Sequence, residues 1–329
     1  MYKTLSFISL FLISFIPVQA QSRFRVMSYN VENLFDTQPS LERDDSEFQP
    51  KGKRHWTESR YYHKLQQIAK VISAVGEWDT PALVGLCEVE NDSVMCHLLR
   101  RTSLRKQEYR YCITTGQDQR GINTALLYQR DKFRYLIHKE YPIPFTNPRK
   151  KSRNILYVSG RIITQDTLDV FVCHFPSRYG GEKETEQSRM EAAVYLRGLC
   201  DSLYKTRAHC LLLIMGDFNE VPQNELFTHW FTPPPSSDST KTGLTFLNLF
   251  AKAKGSHKYH DTWSQLDQII INTELYPFLQ TETPVVFSPS FLLTNDKTWR
   301  GKRPLRTYHG YKYEKGFSDH LPIIADFNL

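Results

Sequence analysis

The chain predicts an α/β fold of two packed sheets with helices on their outer sides. Three observations carry this expectation: eight short β-like runs, only two clear helical stripes among them, and no shift in composition that would mark a domain boundary. Residues 21–329 are therefore read as one domain, preceded by a leader over residues 1–20.

That leader, MYKTLSFISLFLISFIPVQA, has one Lys near its start, an apolar stretch from Leu5 to Val18 and a small-residue ending at Ala20. This is the outline of a signal peptide, and the apolar run is shorter than the ~20 residues a spanning helix needs. Export with cleavage after Ala20 is expected, giving a periplasmic or secreted protein without a stable membrane anchor, and a monomer. The strand runs follow as FRVMSYNV, ALVGLCE, INTALLY, ILYVSGRII, LDVFVCHF, LLLIMGDF, LDQIIIN and LPIIADF. Each is alternating or wholly apolar, as strands buried on one or both faces must be. Between the first two, Tyr61, Leu65, Ile68, Ile72 and Val75 recur at helical spacing. Met190, Ala193, Leu196, Cys200 and Leu203 do the same ahead of the LLLIMGDF run. FTPPPSSDST and DKTWRGKRPLRTYHGYKYEKG read as surface loops, because strand patterns resume after each.

Removing the leader takes away only Lys3 among the charged groups, so the formal charge falls from +7 to +6. A moderately basic surface suits phosphate-bearing partners, and solubility alone accounts for it as well. The six cysteines (87, 96, 112, 173, 200, 210) show no CxxC pair and no spacing typical of a structural zinc site, which excludes zinc fingers. An even count in an exported chain permits disulfides, while Cys87 and Cys173 sit in apolar runs where free buried thiols fit equally well.

The informative positions are the strand ends. SYNVEN closes the first strand, LCEVEN the second, CHFPSRYGG a middle one and GDFNEV the next, and GFSDHLP precedes the last. GDFNEV alone has a bland reading, since Asp and Asn begin turns. Five ends that all carry an acid, an amide or an imidazole do not, because neighbouring strand ends converge where α/β folds assemble ligand sites. Together they supply oxygen donors from Asn30, Glu32, Glu88, Asp217, Asn219 and Asp319, with imidazoles at His174 and His320. Carboxylates and amides without thiolates are hard ligands, suited to Mg²⁺, Mn²⁺ or Ca²⁺. A divalent ion beside histidines suits phosphate-ester cleavage, where charge must be neutralised and a water deprotonated.

YNVEN, CEVEN, GDFN, LDQI and SDHLP, in this order from about Phe24 to the C-terminus, resemble the endonuclease/exonuclease/phosphatase superfamily. SYNVENLFD with HFPSRYGG is similar to its bacterial exported-nuclease branch. The resemblance implies a deoxyribonuclease-I-like four-layer α/β sandwich of two mainly antiparallel sheets. It further implies an exported, Mg²⁺-type phosphodiesterase acting on DNA, most simply an endonuclease, with RNA as a further substrate. Residue by residue, it implies Glu88 as principal metal ligand with Asn30, Glu32 and Asp319 at the same ion. It pairs His320 with Asp267, sets Asp217 on the attacking water and Asn219 on the phosphate, and puts His174 against the scissile phosphate. Whether His320 or Asp217 is the base stays open.

Two places depart from the pattern: Glu314-Lys315-Gly316 stands where a Gly-Gly pair would precede SDH, and Asn123 stands where an Asp would be unsurprising. The latter is assigned only strand packing. Between Lys297 and Lys315, seven cations including Arg303 and Arg306 are interleaved with Trp299, Tyr308, Tyr311 and Tyr313. Positive charge follows a phosphate backbone and flat rings stack on bases, so this loop is a candidate nucleic-acid surface, as opposed to an ordinary solvated one. Arg178 is a further phosphate candidate, Arg120 a weaker one, and Lys51, Lys53 and Arg54 read as an ordinary charged loop. A second reading keeps the metal and changes the ester to a phospholipid or an inositol phosphate. Against it, the loop is cationic where membrane-active relatives would expose an apolar hairpin, and TWSQLDQI stands where inositol phosphatases have PAWxDR. A non-catalytic binder would need neither Glu88 nor the Asp267/His320 pair.

Overall fold

The computed structural model describes residues 23–40, 43–228 and 243–329. The leader and the whole FTPPPSSDST loop lie outside the described residues. Twelve strands build two six-stranded sheets. The first sheet contains β1 (Phe24–Leu34), β2 (Leu83–Val89), β3 (Arg110–Ile113), β4 (Asn123–Tyr128), β11 (Val285–Val286) and β12 (Ile323–Phe327), in the order β11-β12-β1-β2-β4-β3. The second contains β5 (Arg134–Tyr141), β6 (Ile155–Arg161), β7 (Thr167–His174), β8 (Leu211–Asp217), β9 (Phe246–Asn248) and β10 (Asp267–Asn272), in the order β5-β6-β7-β8-β10-β9.

Only β1/β2 and β7/β8 pair in parallel, and all other neighbours in the two sheets are antiparallel. A parallel pair needs a long crossover. Those crossovers are α1 (Glu58–Gly76) and α3 (Glu182–Thr206), the two helices whose stripes are legible in the sequence. Each covers the outer face of its own sheet.

Strand alternation then sorts the core into layers. Met27, Tyr29, Val84, Leu86 and Leu127 point outward and pack on Tyr61, Leu65, Ile68, Ile72 and Val75 of α1. Phe171, Cys173, Leu212, Ile214 and Ile270 face α3 through Ala193, Leu196 and Cys200. Between the sheets lie Val26, Leu83, Leu126 and Ala325 from one side, against Val170, Val172, Leu213, Met215, Ile269 and Ile271 from the other. The result is helix on sheet on sheet on helix, the four-layer sandwich.

All eight strand runs named from the sequence form strands. β5 escaped notice because it is an edge strand whose side chains are mostly exposed, so no alternation is imposed on it. A helix over Asp92–Arg100 (α2) was also unmarked. It begins where the Asn91 side chain accepts a hydrogen bond from Val94 N at 2.9 Å, so the last residue of CEVEN caps a helix. All six cysteines are free, and five of them are buried.

Gly216 ties the fold to the site. It has φ +142° in the middle of the sheet, and a Cβ there would stand 1.8 Å from the Cys173 carbonyl oxygen on β7. Only glycine lets the two backbones come this close one residue before Asp217. Gly216→Ala is expected to lose about 3 kcal/mol of stability, since strain and overpacking act together. Chemical denaturation monitored by circular dichroism measures this, and an unchanged midpoint contradicts it.

Candidate active site

Register alone brings three of the functional side chains together. The inner-face alternation Leu211, Leu213, Met215 continues to Asp217, and Ile271, Ile269 continues back to Asp267. These two acids are direct partners across β8/β10, while His174 is registered with Asp217 across β7/β8. Where the apolar residues run out, the same face carries His174, Asp217 and Asp267 in a row. From the facing sheet, Asn30 Nδ2 donates to Asp217 Oδ2 at 3.0 Å.

His320 relieves the repulsion between the two acids. Its Nδ1 bonds Asp267 Oδ2 at 2.6 Å and its Nε2 lies 3.8 Å from Asp217 Oδ2. Burial disfavours charge on this ring, but Asp267 and Asp217 outweigh it and hold its pKa well above the ordinary imidazole value. Burial, opposed by His320 and reinforced by Asp267, pushes Asp217 up to about 6. His174 Nε2 faces Asp217 Oδ2 at 3.6 Å and Glu88 Oε1 at 3.9 Å. Burial, helped by Arg153 and Arg120, drives its pKa well below normal and keeps it neutral. Asn219, at φ +51°, donates its backbone N–H to Asp217 Oδ1 at 2.8 Å and its Nδ2 to the Phe175 carbonyl at 3.0 Å.

Glu88 and Glu32 reach the site by a different device. Glu88 (φ +66°), Glu32 (φ +54°) and Asn33 (φ +50°) are left-handed, and the register of both strands shifts there. Such irregularities re-aim side chains at sheet ends. Glu88 Oε2 accepts from Asn33 N at 2.8 Å, whereas Oε1 holds no hydrogen bond among the described residues, with Arg120 at 3.6 Å. Glu32 is differently disposed: Oε1 pairs with Arg306 at 2.9 Å and Oε2 accepts from Thr307 N at 2.8 Å. Asn30 Oδ1 likewise accepts from Glu32 N. Asp319 Oδ2 meets Arg306 at 2.8 Å. Burial opposes ionisation of Asp319, but that guanidinium holds its carboxyl below the usual range.

Of the four expected ligands, the oxygens with the most spare capacity are thus Glu88 Oε1 and Asp319 Oδ1, the latter having only Ser318 Oγ at 3.5 Å. Glu32 and Asn30 are committed to protein partners. Two tighter groups occur among the described residues, Asp217/Asp267/His320 and His257/Asp319/His320, each with ligand atoms within 4.8 Å of one another. In both, His320 already spends Nδ1 on Asp267. The free donors are hard oxygens, which fits an ion such as Mg²⁺ that keeps waters and takes one or two carboxylates plus substrate oxygens.

The expected substrate contacts divide. Arg306 sits at the centre, bridging Glu32 and Asp319. Arg178 is turned away into the fold: Nε donates to the Asn219 carbonyl at 2.8 Å and the remainder pairs with Glu220 and Glu182. Its role is to brace the GDFNEV turn, together with the fully buried Arg189 on Glu220. Arg303 is paired with Glu314 at 2.8 Å, and Tyr308 is 3 % exposed, with its hydroxyl donating to the Arg54 carbonyl. Neither is a free surface group. Asn123 braces the 114–116 loop by accepting from Gly116 N, and its Nδ2 donates to the Glu90 carbonyl.

Three participants went unseen in the sequence, and a fourth residue, Arg54, was read there only as part of an ordinary charged loop. Ser256 Oγ donates to Asp267 Oδ2 at 2.6 Å, and His257 lies against His320 with ring centroids 4.7 Å apart and planes tilted by 38°. Both lie in a stretch with no periodicity to mark it. Lys64, buried on α1, donates to Thr307 Oγ1 and the Phe317 carbonyl, 4.0 Å from Glu32. Burial pushes its pKa down to about 8. A lysine beside Tyr61 and Leu65 on an apolar stripe was its only signal. Arg54 lines a groove of about 580 Å³ with Arg120, Lys150, Lys151, Arg153 and Tyr179, and Arg120 lies 3.6 Å from Glu88 Oε1.

Among curated proteins, none matches the sequence. Solved structures share its fold at low identity. An endonuclease/exonuclease/phosphatase family protein from Bacteroides thetaiotaomicron is 15% identical, with 93% of this chain and 97% of that one covered and a TM-score of 0.56. The human nocturnin catalytic domain with bound sulfate anion is 15% identical, over 93% and 94%, at 0.54. D. rerio TDP2 complexed with single-strand DNA product is 14% identical, over 94% and 100%, at 0.55. The family model described as Endonuclease/Exonuclease/phosphatase family matches residues 25–328. With strand ends, register and family model in agreement, the chain belongs to the endonuclease/exonuclease/phosphatase family, whose members are metal-dependent phosphoesterases and nucleases.

Proposed function

We propose that this protein is an exported, divalent-metal-dependent phosphodiesterase that cleaves nucleic acid, DNA foremost and RNA as a further substrate, by internal cuts. The observation that carries this reading is the convergence of Asn30, His174 and His320 on the single oxygen Asp217 Oδ2, beside an acceptor oxygen of Glu88 left open. Support for a nucleic-acid substrate comes from the basic groove at Lys150 and Lys151, and from the single-strand DNA product in the D. rerio TDP2 structure.

Glu88, with Asp319 close by, would hold a divalent ion such as Mg²⁺ or Mn²⁺, which would supply positive charge to offset that of the phosphate. The chain's own residues do the rest. Asp267, held by Ser256, orients His320 and keeps it charged, so the ring acts as a cationic stabiliser of the phosphate. Asp217, fixed by Asn30 and by the Asn219 N–H, is the group that accepts the proton of the attacking water. Neutral His174 faces the same space as a hydrogen-bonding partner for the phosphate. Arg306 offsets the charge of Glu32 and Asp319 and so keeps both ionised acids tolerable in a buried setting.

Two outcomes are expected from cleavage of circular plasmid DNA by the form beginning at Gln21. Nicking requires Mg²⁺ or Mn²⁺, stops with EDTA, and falls roughly 10²–10⁴-fold in kcat for His320→Ala and for Asp267→Asn. A folded, metal-supplied protein that leaves every nucleic acid intact overturns the reading. Glu88→Ala separates catalysis from binding: cleavage is lost while affinity for an oligonucleotide, followed by fluorescence anisotropy, is retained. Loss of affinity alone, with turnover preserved at saturating substrate, argues for a binding role.

A further inference from the structure

Beside Asp319 lies a cleft of about 290 Å³ that shares no lining residue with the Lys150 groove. Its wall carries three aromatic rings in a row. Tyr259 stacks on His260 with centroids 4.1 Å apart and planes 24° from parallel, and His260 meets Trp299 at 4.5 Å and 32°. Unlike the buried Tyr308, these rings face solvent: Tyr259 is 67 % and Trp299 44 % exposed. Leaving large rings in water is unfavourable, and a ladder that does so beside a catalytic centre is built for a flat ligand.

The support beneath is rigid and buried. Lys258 Nζ donates to Asp296 Oδ2 at 2.9 Å and to the Arg300 carbonyl at 2.8 Å, with both side chains of the ion pair almost fully covered. The other Asp296 oxygen accepts the backbone N–H groups of Thr298 and Trp299 at 3.0 and 2.9 Å. One ion pair therefore locks the turn bearing Trp299 onto the hairpin bearing Tyr259 and His260. The ladder is organised before any ligand arrives, which lowers the entropy cost of binding.

We propose that Tyr259, His260 and Trp299 form the subsite for a nucleobase attached to the scissile phosphate. The same cleft is lined by Arg306 and Asp319, so an aromatic group on the ladder lies one cleft's length from the reacting phosphodiester. Lys297, Arg300 and Lys302, all exposed, flank Trp299 in the chain and suit a polyanion over an apolar chain. A base can stack on protein rings only when it has left its own helical stack, so single strands and frayed ends are preferred to intact duplex. The assignment rests on the nucleic-acid reading above and names the part of the substrate that the site grips.

Steady-state cleavage of a short single-stranded DNA oligonucleotide in Mg²⁺ tests it, with a second oligonucleotide in which tetrahydrofuran residues replace the bases. Trp299→Ala is expected to raise KM for the base-bearing strand 10–100-fold, with the loss vanishing on the baseless strand. His260→Ala, also exposed, repeats the comparison should the first variant fold poorly. Equal KM for wild type and both variants on the base-bearing strand overturns the subsite and leaves the nucleic-acid reading standing. An equal loss on both strands overturns it too, because the effect then does not run through a base. Wild type that nicks plasmid DNA but cleaves neither strand overturns the subsite alone, and wild type that leaves plasmid and both strands intact removes the nucleic-acid reading and the subsite with it.

Discussion

Asp217 and Asp267 stand directly opposite each other on adjacent antiparallel strands, on the same inner face, with almost no water around them. Two carboxylates so placed repel each other, and the chain tolerates them only because a charged imidazole and an amide are driven in between. Much of the site follows from that constraint. His320 must arrive from the other sheet, Ser256 must share with it the same Asp267 oxygen, and Asn30 must reach across to Asp217. A weak acid and a strongly held cation are the chemical consequence of this packing.

The carboxylates that complete the centre answer to a second constraint. Alternation would not aim Glu88 inward from β2, since its neighbour Cys87 takes the inner position. Left-handed residues at the ends of β1 and β2 break the alternation where ligands are needed, and Gly216 lets β7 and β8 approach just before Asp217. The sandwich interior bears this strain because its three apolar layers over-determine the strand positions. Around the centre, cations are distributed to suit: Arg306 and Lys64 beneath Glu32, and Arg120 against Glu88.

The legible part of the site was the part governed by alternation and by short motifs. Asp217, Asp267, His174 and His320 each end or precede an apolar strand run, and the structure gathers all four. Asn30 and Asp319 also converge there. Arg178, Arg303 and Tyr308 were named from local charge and composition, and they are consumed by Glu220, Glu314 and the Arg54 backbone. A cation in a loop looks the same in sequence whether it meets a substrate or a nearby acid. The partners lie 42, 11 and 254 positions away, distances at which no local pattern operates.

By itself the sequence determined the layering, because each strand's apolar alternation and each helix's stripe state which face is buried, and hydrophobic burial enforces that statement. It also determined the chemical class of the site, since acids, amides and imidazoles at five strand ends have few other uses. The tertiary structure alone decided which oxygens remain open to a ligand. It also decided which arginines face the centre, and that Tyr259, His260 and Trp299 form one ladder. These are matters of distance between segments remote in the chain, and such distances arise only when the two sheets close on each other.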